Sequence, residues 1–289
     1  MSVVVTGATG QLGRLVVEDL LSGGLPAGQI AAAGRSVEKI ADLADRGVRV
    51  AAIDFTEPDT LVAAFTGADV LLLVSSSAIG ARALQHANVI EAAAAAGVGR
   101  IVYTSAPHAD TSALVLAPEH KATEALIQAS GLAFTILRNG WYTENFLGSV
   151  EQARATGELV SSAGAGRVAS ASRADYAAAA ARVLTETGHE GRVYELSGDT
   201  AWGFDELANV LGDLVGRPVV YRSVTAEEHL AILTAAGLDA GTAQFVVALD
   251  GNTRDGLLAE TSGDLGKLIG RPTTPLAEGL RAALHTAEM

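Results

Sequence analysis

The chain has 289 residues, of which 49% are hydrophobic and 18% charged, the composition of an ordinary globular protein with room for one large domain or two modest ones. Its 33 acidic and 20 basic residues give a formal net charge of −13, which disfavours nucleic acid and anionic membranes as partners. The absence of cysteine excludes disulfides, iron–sulfur clusters, thiolate nucleophiles and cysteine-based zinc sites.

Two further features of the sequence bear on the location of the protein in the cell. Its apolar runs fall short of the roughly 18–20 residues that a membrane-spanning helix needs. The first predicted strand begins almost at Met1, so we expect no secretory signal peptide there. These features predict a cytoplasmic protein that has no membrane partner.

Short apolar segments alternate with helix-length amphipathic segments through the first half of the chain. The short segments are apolar throughout, so both of their faces should be buried, as in a parallel sheet covered by helices on each side. The predicted strands span residues 3–5, 29–33, 48–53, 70–74, 101–103 and 134–137, and the predicted helices span residues 12–21, 37–44, 60–65, 82–96 and 119–129. Because successive βα units cross over with the right hand, this order predicts an α/β fold with a Rossmann-type, doubly wound parallel sheet.

The pattern changes after residue 139. The segment "RADYAAAAARVLTE" at 173–186 predicts a helix, and "RVYELSG" at 192–198 predicts a seventh strand that rejoins the sheet. From residue 201 onward the periodicity is mostly helical. We therefore expect a Rossmann domain formed by residues 1–139 and about 173–198, and a smaller, mostly helical C-terminal lobe formed by about 140–172 and 199–289.

A glycine-rich turn follows the first predicted strand, in the segment "VVVTGATGQLGRL". Gly7 permits a tight turn, Gly10 lets the backbone approach a pyrophosphate, and Gly13 lets the helix pack closely on its strand. The bare N–H groups and positive dipole at the start of that helix attract phosphate. The alternative is a plain structural turn, but the strand–turn–helix context favours dinucleotide binding. The predicted cofactor contacts here are Thr6, Gly7, Thr9, Gly10, Gln11, Leu12 and Gly13.

The end of the second predicted strand indicates which dinucleotide is bound. A free ribose 2′-hydroxyl usually calls for an acidic residue there, but this chain has Gly34 followed by Arg35. A guanidinium pairs well with a 2′-phosphate, so we predict NADPH as the cofactor of the Rossmann domain, with Lys39 as a weaker contributor. The alternative is that Arg35 is a solvated loop residue.

Polar residues also follow the next strands, at the sheet edge where ligands of such folds bind. Asp54 is placed to approach the adenine amino group, and Ser75, Ser76 and Ser77 the ribose beside the nicotinamide. Turn chemistry or helix capping is the alternative for each. Tyr103 and Thr104, in the segment "YTS", complete the predicted cofactor contacts.

Several segments together resemble a known family. The glycine loop, "SSS", "YTS" and "LRNGWYTEN", in that order, are similar to the NmrA-like branch of atypical short-chain dehydrogenases. More narrowly, "HADTS", "NGWYTEN", "SRADYAAAAARV", "GHEGRVYELSGD" and "LIGRPTTPLAE" resemble the bacterial type 2 NAD(P)H:quinone oxidoreductases. The resemblance covers essentially the whole chain. It implies NADPH-dependent reduction of a small quinone without flavin or metal, with the substrate held between the Rossmann domain and the C-terminal lobe.

The chain departs from typical short-chain dehydrogenases at their catalytic Tyr-x-x-x-Lys pair, because none of its five tyrosines has a lysine four residues later. Ser105 matches the usual catalytic serine, and His120 falls where the isoflavone-reductase-like branch carries a catalytic lysine. A quinone is a strong hydride acceptor, so catalysis can depend mainly on placing it near nicotinamide C4. The proton can then come from water or from a histidine with a pKa near neutral. We predict His120 as that donor; the alternative is a polar residue bonded to the cofactor ribose.

The segment that follows the sixth strand offers an amide and two aromatic rings. Asn139 is predicted to bond the nicotinamide amide, and the ring of Trp141 or Tyr142 to stack on a flat quinone. The alternative for the rings is a role in the core or in anchoring the lobe.

Two other functions remain open at this stage. One is an NmrA-type redox sensor that binds NADP(H) and acts through protein partners, and the other is reduction of another activated carbonyl or alkene. Histidine pairs at metal-ligand spacing are absent, so no metal is expected. The oligomeric state does not follow from the sequence, and a homodimer is the assembly to test.

Overall fold

The computed structural model describes residues 1–288 and contains a central sheet of seven parallel strands. In sheet order the strands are β3 (Arg49–Ala52), β2 (Ile30–Gly34), β1 (Val3–Val5), β4 (Val70–Leu73), β5 (Arg100–Ser105), β6 (Ala133–Asn139) and β9 (Arg192–Leu196). This order confirms the predicted Rossmann-type, doubly wound sheet, including its seventh strand.

Helices cover both faces of this sheet. Those of the first half are α1 (Gln11–Ser22), α2 (Ala41–Asp45), α3 (Pro58–Phe65), α4 (Arg82–Ala95) and α5 (Ala117–Ala129). The later helices, of which α7 and α11 pack in a core on this sheet, are α6 (Leu147–Thr156), α7 (Arg173–Thr185), α8 (Phe204–Val215), α9 (Ala226–Ala235), α10 (Ala240–Arg254), α11 (Asp264–Ile269) and α12 (Leu276–Glu288). Short 3-10 helices cover Ala27–Gln29, Val37–Ile40 and Thr143–Phe146. None of the described helices is both long and apolar enough to span a bilayer.

Successive residues of the central strands pack into two separate cores. Val3, Val5 and Val102 face α1 and α7, whereas Val4 and Tyr103 face α3, α4 and α5. Strand side chains alternate between faces, so an unbroken apolar strand supplies both cores at once. This explains why continuous apolar runs correctly predicted buried parallel strands.

The C-terminal lobe has its own core and two small sheets. Strands β7 (Glu158–Ser161) and β11 (Val220–Ser223) pair in parallel, and β8 (Arg167–Val168) and β10 (Trp202–Gly203) pair antiparallel. Trp202, Phe204 and Leu207 pack there with α6 and α12. Helix α11 is an exception, since Leu265 and Ile269 pack in the Rossmann core. The predicted division between domains remains a prediction.

Two strands run further than the sequence predicts, and this affects the site. Strand β5 continues to Ser105, which pairs with Arg138, and β6 continues to Asn139, which pairs with Leu196. Polar residues at a strand end weaken an apolar pattern, but the neighbouring strands still offer backbone partners. Ser105 and Asn139 therefore lie within the sheet, where their backbones are held in place.

Candidate active site

A cleft of about 760 Å³ opens at the carboxyl ends of β1, β2 and β4. The chain runs from β1 to β2 and β3 on one side of β1 and then crosses to β4 on the other side, so the strand order reverses at this point. Ligands of doubly wound sheets bind at such a switch point. Its lining includes the predicted residues Gly7, Thr9, Gly10, Gln11, Leu12, Gly13, Arg35, Asp54, Ser75, Ser76 and Ser77.

The glycine loop brings the start of α1 so close to the turn after β1 that side chains would clash there. Gly7 has φ of +63°, and a Cβ added to Gly13 would lie 2.4 Å from the Gly7 carbonyl oxygen. Gly10 caps α1 without any side-chain hydrogen bond, and the first turn of α1 carries no acidic residue. The free N–H groups of that turn therefore face the cleft without a competing carboxylate, which suits a phosphate.

Two cations lie beside this loop without anionic partners. Arg35 and Lys39 are exposed, both line the cleft, and within residues 1–288 neither forms an ion pair. Arg14, one turn into α1, is by contrast bound by Asp42 with an Nη2–Oδ2 distance of 2.5 Å. Arg35 and Lys39 thus leave positive charge available to an anionic ligand, as a 2′-phosphate site requires.

Asp54, which follows β3, lines the same cleft. Its Oδ1 accepts hydrogen bonds from the Thr56 backbone N–H at 2.8 Å and from the Thr56 hydroxyl at 2.7 Å. These bonds, with a smaller contribution from the charge of Arg35, lower the pKa of Asp54. Asp54 is therefore an ionised acceptor whose Oδ2 remains available to an amino group.

Three of the predicted cofactor residues lie behind the cleft wall. The Thr6 hydroxyl bonds the Leu72 carbonyl and the Val74 N–H, and Thr104 Oγ1 accepts the Ser75 N–H at 2.9 Å. Tyr103 is fully buried. These buried side chains have their polar groups already bonded and support the cleft wall, so direct cofactor contact by Thr6, Tyr103 and Thr104 remains a prediction.

His120, the predicted proton donor, lies on α5 and is bonded to Tyr103. The phenol oxygen lies 2.7 Å from His120 Nδ1. Burial, and then the charge of Arg82, lower the pKa of His120 to about 3. The expected near-neutral pKa is therefore corrected, since the ring is neutral at pH 7. Burial also raises the pKa of Tyr103, so the phenol keeps its proton.

Because a buried phenol hydrogen needs an acceptor, we assign the Tyr103 hydroxyl as the donor in its bond to His120 Nδ1. A phenol that donates to Nδ1 leaves the ring hydrogen on Nε2. Nε2 has no hydrogen-bond partner within residues 1–288, and it is not among the fully enclosed unpaired polar atoms. This makes Nε2–H a free donor that a ligand can reach.

Ser105 is not brought to the cleft. Its hydroxyl donates to Glu124 at 2.6 Å, and Arg138 holds that carboxylate through two bonds of 3.0 and 2.7 Å. All three side chains are buried. The structure therefore places Ser105 in a buried ionic cluster, and its predicted catalytic role has no support from these contacts.

Asn139 and Tyr142 contact each other at the end of β6. Asn139 Nδ2 lies 3.4 Å from the Tyr142 hydroxyl, whereas Asn139 Oδ1 is buried without a partner. The Tyr176 ring meets the Tyr142 ring edge-on, with 5.2 Å between their centroids. The Arg173 guanidinium carbon lies 4.9 Å from the centroid of the Tyr142 ring. Burial raises the pKa of Tyr142. These contacts favour the anchoring role for the Tyr142 ring, while Asn139 retains an unused acceptor.

Sequence reasoning missed several residues that line the cleft: Ser36, Ile53, Phe55, Val74, Ala78 and Gln85. Ile53, Phe55 and Val74 are immediate neighbours of predicted residues at strand ends, so position along the sheet edge was a usable signal. Gln85 lies in the first turn of α4 and had no such signal. No group of three metal-ligating side chains occurs within residues 1–288.

Comparisons with known proteins agree with this geometry. A family model described as NAD(P)H-binding matches residues 7–187. Quinone oxidoreductase 2 of Escherichia coli (strain K12) is 48% identical over 278 residues, which cover 96% of this chain and 97% of that protein. An NmrA-like family domain-containing oxidoreductase of Aspergillus flavus is 30% identical and covers 98% of this chain and 95% of its own length.

Solved structures give the same result. The Escherichia coli NADPH-dependent quinone oxidoreductase, crystallised with NADPH, has a TM-score of 0.93 at 48% identity and covers 98% of this chain and 99% of its own. The triphenylmethane reductase of Citrobacter sp. has a TM-score of 0.93 at 42% identity and covers 99% and 100%. The predicted resemblance is confirmed: the chain belongs to the NAD(P)H-binding family, in its NmrA-like branch.

Proposed function

We propose that this protein is an NADPH-dependent quinone oxidoreductase that transfers a hydride directly from nicotinamide to a quinone, without flavin or metal. The observation that carries the proposal is the match, over nearly the whole chain, to the Escherichia coli quinone oxidoreductase crystallised with NADPH. A cytoplasmic location and a homodimeric assembly remain predictions beside it.

The residues of the cleft fit this cofactor. The uncapped first turn of α1, which Gly10 precedes without a side chain, suits a pyrophosphate, and the unpaired Arg35 and Lys39 suit the 2′-phosphate that distinguishes NADPH from NADH. A bond from Asn139 to the nicotinamide carboxamide remains a prediction, because its partnerless Oδ1 is enclosed by protein and Asn139 does not line the cleft. When bound, NADPH supplies the hydride.

His120 then acts as a neutral hydrogen-bond donor. Nε2–H is directed by the Tyr103 hydroxyl bond at Nδ1, and it can stabilise the oxygen of a quinone as negative charge develops there. The quinone gains one hydride and one proton to become a quinol, and the proton comes from solvent because the His120 ring holds none to spare at neutral pH. A quinol oxygen is weakly basic, so this chemistry does not need the Tyr-x-x-x-Lys pair of alcohol dehydrogenases.

The proposal is tested by following the absorbance of NADPH with a simple benzoquinone, under anaerobic conditions and with a metal chelator. Saturable, quinone-dependent oxidation by protein free of flavin is the expected result. No quinone-dependent oxidation by protein that binds NADPH tightly would contradict the proposal and favour the redox sensor.

The part played by His120 has its own test in the same assay. His120→Ala should lower kcat with little change in the affinity for NADPH, and the deficit should be constant across about pH 6–8 because the wild-type ring does not titrate there. Unchanged turnover of His120→Ala would remove His120 from the reaction.

A further inference from the structure

The loop after β4, residues 75–77, forms one wall of the cofactor cleft, and two buried side chains of α4 hold it from behind. We propose that His86 and Arg82 form a clamp on the Ser76 peptide, a positioning device that presets this loop for the cofactor. The inference rests on the NADPH-binding part of the proposed function and adds two positioning residues to it.

Both polar groups of the Ser76 backbone are bound by this clamp. The Ser76 N–H donates to His86 Nε2 at 3.0 Å, and Arg82 Nε donates to the Ser76 carbonyl oxygen at 2.7 Å. His86 is completely buried and Arg82 is 5% exposed. Ser76 also lines the cleft, and its hydroxyl donates to Gln85 Oε1 while the clamp holds its backbone.

The partners of His86 allow only one tautomer. Because Nε2 accepts from Ser76, the ring hydrogen must be on Nδ1, which lies 2.9 Å from Thr123 Oγ1. The Thr123 hydroxyl donates to the Glu119 carbonyl and is thus free to accept from Nδ1–H. Burial, and then the charge of Arg82, lower the pKa of His86 to about 3, which keeps the ring neutral and the acceptor intact.

The clamp also ties the cofactor wall to α5, the helix that carries His120. Glu119 accepts from the Gly80 N–H at 2.8 Å and pairs with Arg82 at 3.0 Å, while Thr123 bonds His86. Glu119 and Thr123, which lie on opposite sides of His120 along α5, therefore anchor the loop. Ser75, Ser76 and Ser77 are therefore already ordered before a ligand binds. Binding then costs less conformational entropy, which favours affinity.

Three substitutions separate this role from ordinary core packing. His86→Gln keeps an acceptor for Ser76 and a donor for Thr123, whereas His86→Phe keeps a ring but loses both. Thr123→Val is nearly isosteric and removes the acceptor of the His86 Nδ1 hydrogen. His189→Phe is the matched control, because His189 is also a buried, hydrogen-bonded histidine, with Nδ1 2.8 Å from the Tyr194 hydroxyl, but precedes β9 at the opposite edge of the sheet.

The experiment measures the dissociation constant for NADPH by its fluorescence, well below the unfolding temperature, without any quinone. We expect an increase of about tenfold for His86→Phe and about threefold for Thr123→Val, with His86→Gln within about twofold of wild type and His189→Phe unchanged. Folded His86→Phe with wild-type affinity would overturn the inference. If His86→Phe does not fold, wild-type affinity in Thr123→Val overturns it instead.

The same variants keep this inference separate from the proposed reaction. Affinity does not depend on the acceptor, so wild-type protein that fails to reduce a quinone while the variants keep the expected order of affinity would contradict the reaction and support the clamp. Equal loss of affinity in His86→Gln and His86→Phe would show that the hydrogen bonds are not what matters, and would overturn the clamp.

Discussion

The two halves of the ligand-binding edge treat their charged side chains in opposite ways. Beside β1 and β2, Arg35 and Lys39 have no ion-pair partner within residues 1–288 and face an open cleft. Beside β5 and β6, Arg138 is bound by three carboxylates at 2.7–2.8 Å, from Glu124, Glu195 and Asp110. The first half thus leaves Arg35 and Lys39 available to a ligand, whereas in the second half the charge of Arg138 is neutralised by internal ion pairs.

Backbone strain follows the same division. His108, after β5, is the non-glycine residue with positive φ within residues 1–288, at 45°. Glu195 accepts its N–H at 3.1 Å and Glu260 lies 2.6 Å from its Nε2. A strained residue persists when its surroundings hold it, so the second half is stabilised by internal ionic contacts. Function in the first half and stability in the second should therefore respond to different substitutions.

The largest expected effect is on stability, from the buried cluster of the second half. Arg138→Met leaves Glu124, which is 4% exposed, without its cation, and loss of one partner of a buried pair costs about 3–5 kcal/mol. Urea unfolding measures this change. Arg222→Met removes a half-exposed pair with Glu158 and is the control, with an expected loss below about 1 kcal/mol. Equal losses of unfolding free energy in Arg138→Met and Arg222→Met would contradict the contrast between the two halves.

The next effect is on cofactor affinity, in the first half. In Gly13→Ala the new Cβ meets the Gly7 carbonyl at 2.4 Å, and the overpacking of about 1–3 kcal/mol must move the loop that faces the phosphates. We expect the dissociation constant for NADPH to rise up to about a hundredfold by calorimetry. Gly28→Ala meets no atom within 4 Å and should bind normally. Wild-type affinity of Gly13→Ala would contradict the loop geometry.

The pH dependence of stability gives a further test of the comparison, because two buried histidines, His86 on α4 and His120 on α5, lie between the halves. Burial chiefly lowers the pKa of His86 and of His120 to about 3, against about 6.5 when unfolded. The unfolded chain then binds more protons in this window, so stability is full above about pH 6.5 and falls toward acid, by about 1.4 kcal/mol per pH unit and histidine. Urea unfolding at a series of pH values measures the slope.

The control for that slope is the exposed His285, on α12. His86→Gln should lower the slope of unfolding free energy against pH by the contribution of one histidine. His285→Gln should leave this slope unchanged. A slope that His86→Gln leaves intact would mean that His86 is protonated in the folded protein, contrary to its bond from Ser76.

The smallest of these effects concerns the choice of dinucleotide. Arg35→Asp should raise the dissociation constant for NADPH at least about tenfold, because the free cation is replaced by an anion beside the 2′-phosphate. NADH lacks that phosphate and is the internal control, with little change expected. Equal losses for both dinucleotides in calorimetry would mean that Arg35 does not distinguish them.

The first half was also the more predictable from sequence. Its turns, strand ends and glycines follow one another locally, so Gly7, Arg35 and Asp54 could be placed from spacing alone, and the structure brings all three to one cleft. The sheet followed from continuous apolar strands for the same reason. Local patterns suffice when neighbouring segments supply the site.

The second half depends on partners far apart in sequence. Ser105 was predicted as catalytic because it matches the serine of typical short-chain dehydrogenases, yet it bonds Glu124, which binds Arg138 of another strand. The pKa of His120 likewise depends on burial and on Arg82, and neither can be deduced from the segment around it. Long-range pairing and desolvation are properties of the packed molecule, and spacing along the chain does not encode them.

A crystal structure with NADPH bound tests the central claim most directly, namely that the cofactor lies across the start of α1 with its 2′-phosphate at Arg35. We expect the pyrophosphate over Gly10, the 2′-phosphate within hydrogen-bond distance of Arg35, and the nicotinamide between the Ser75–Ser77 wall and His120 Nε2. A cofactor whose phosphates lie away from the glycine loop, or whose 2′-phosphate contacts neither Arg35 nor Lys39, would contradict the account.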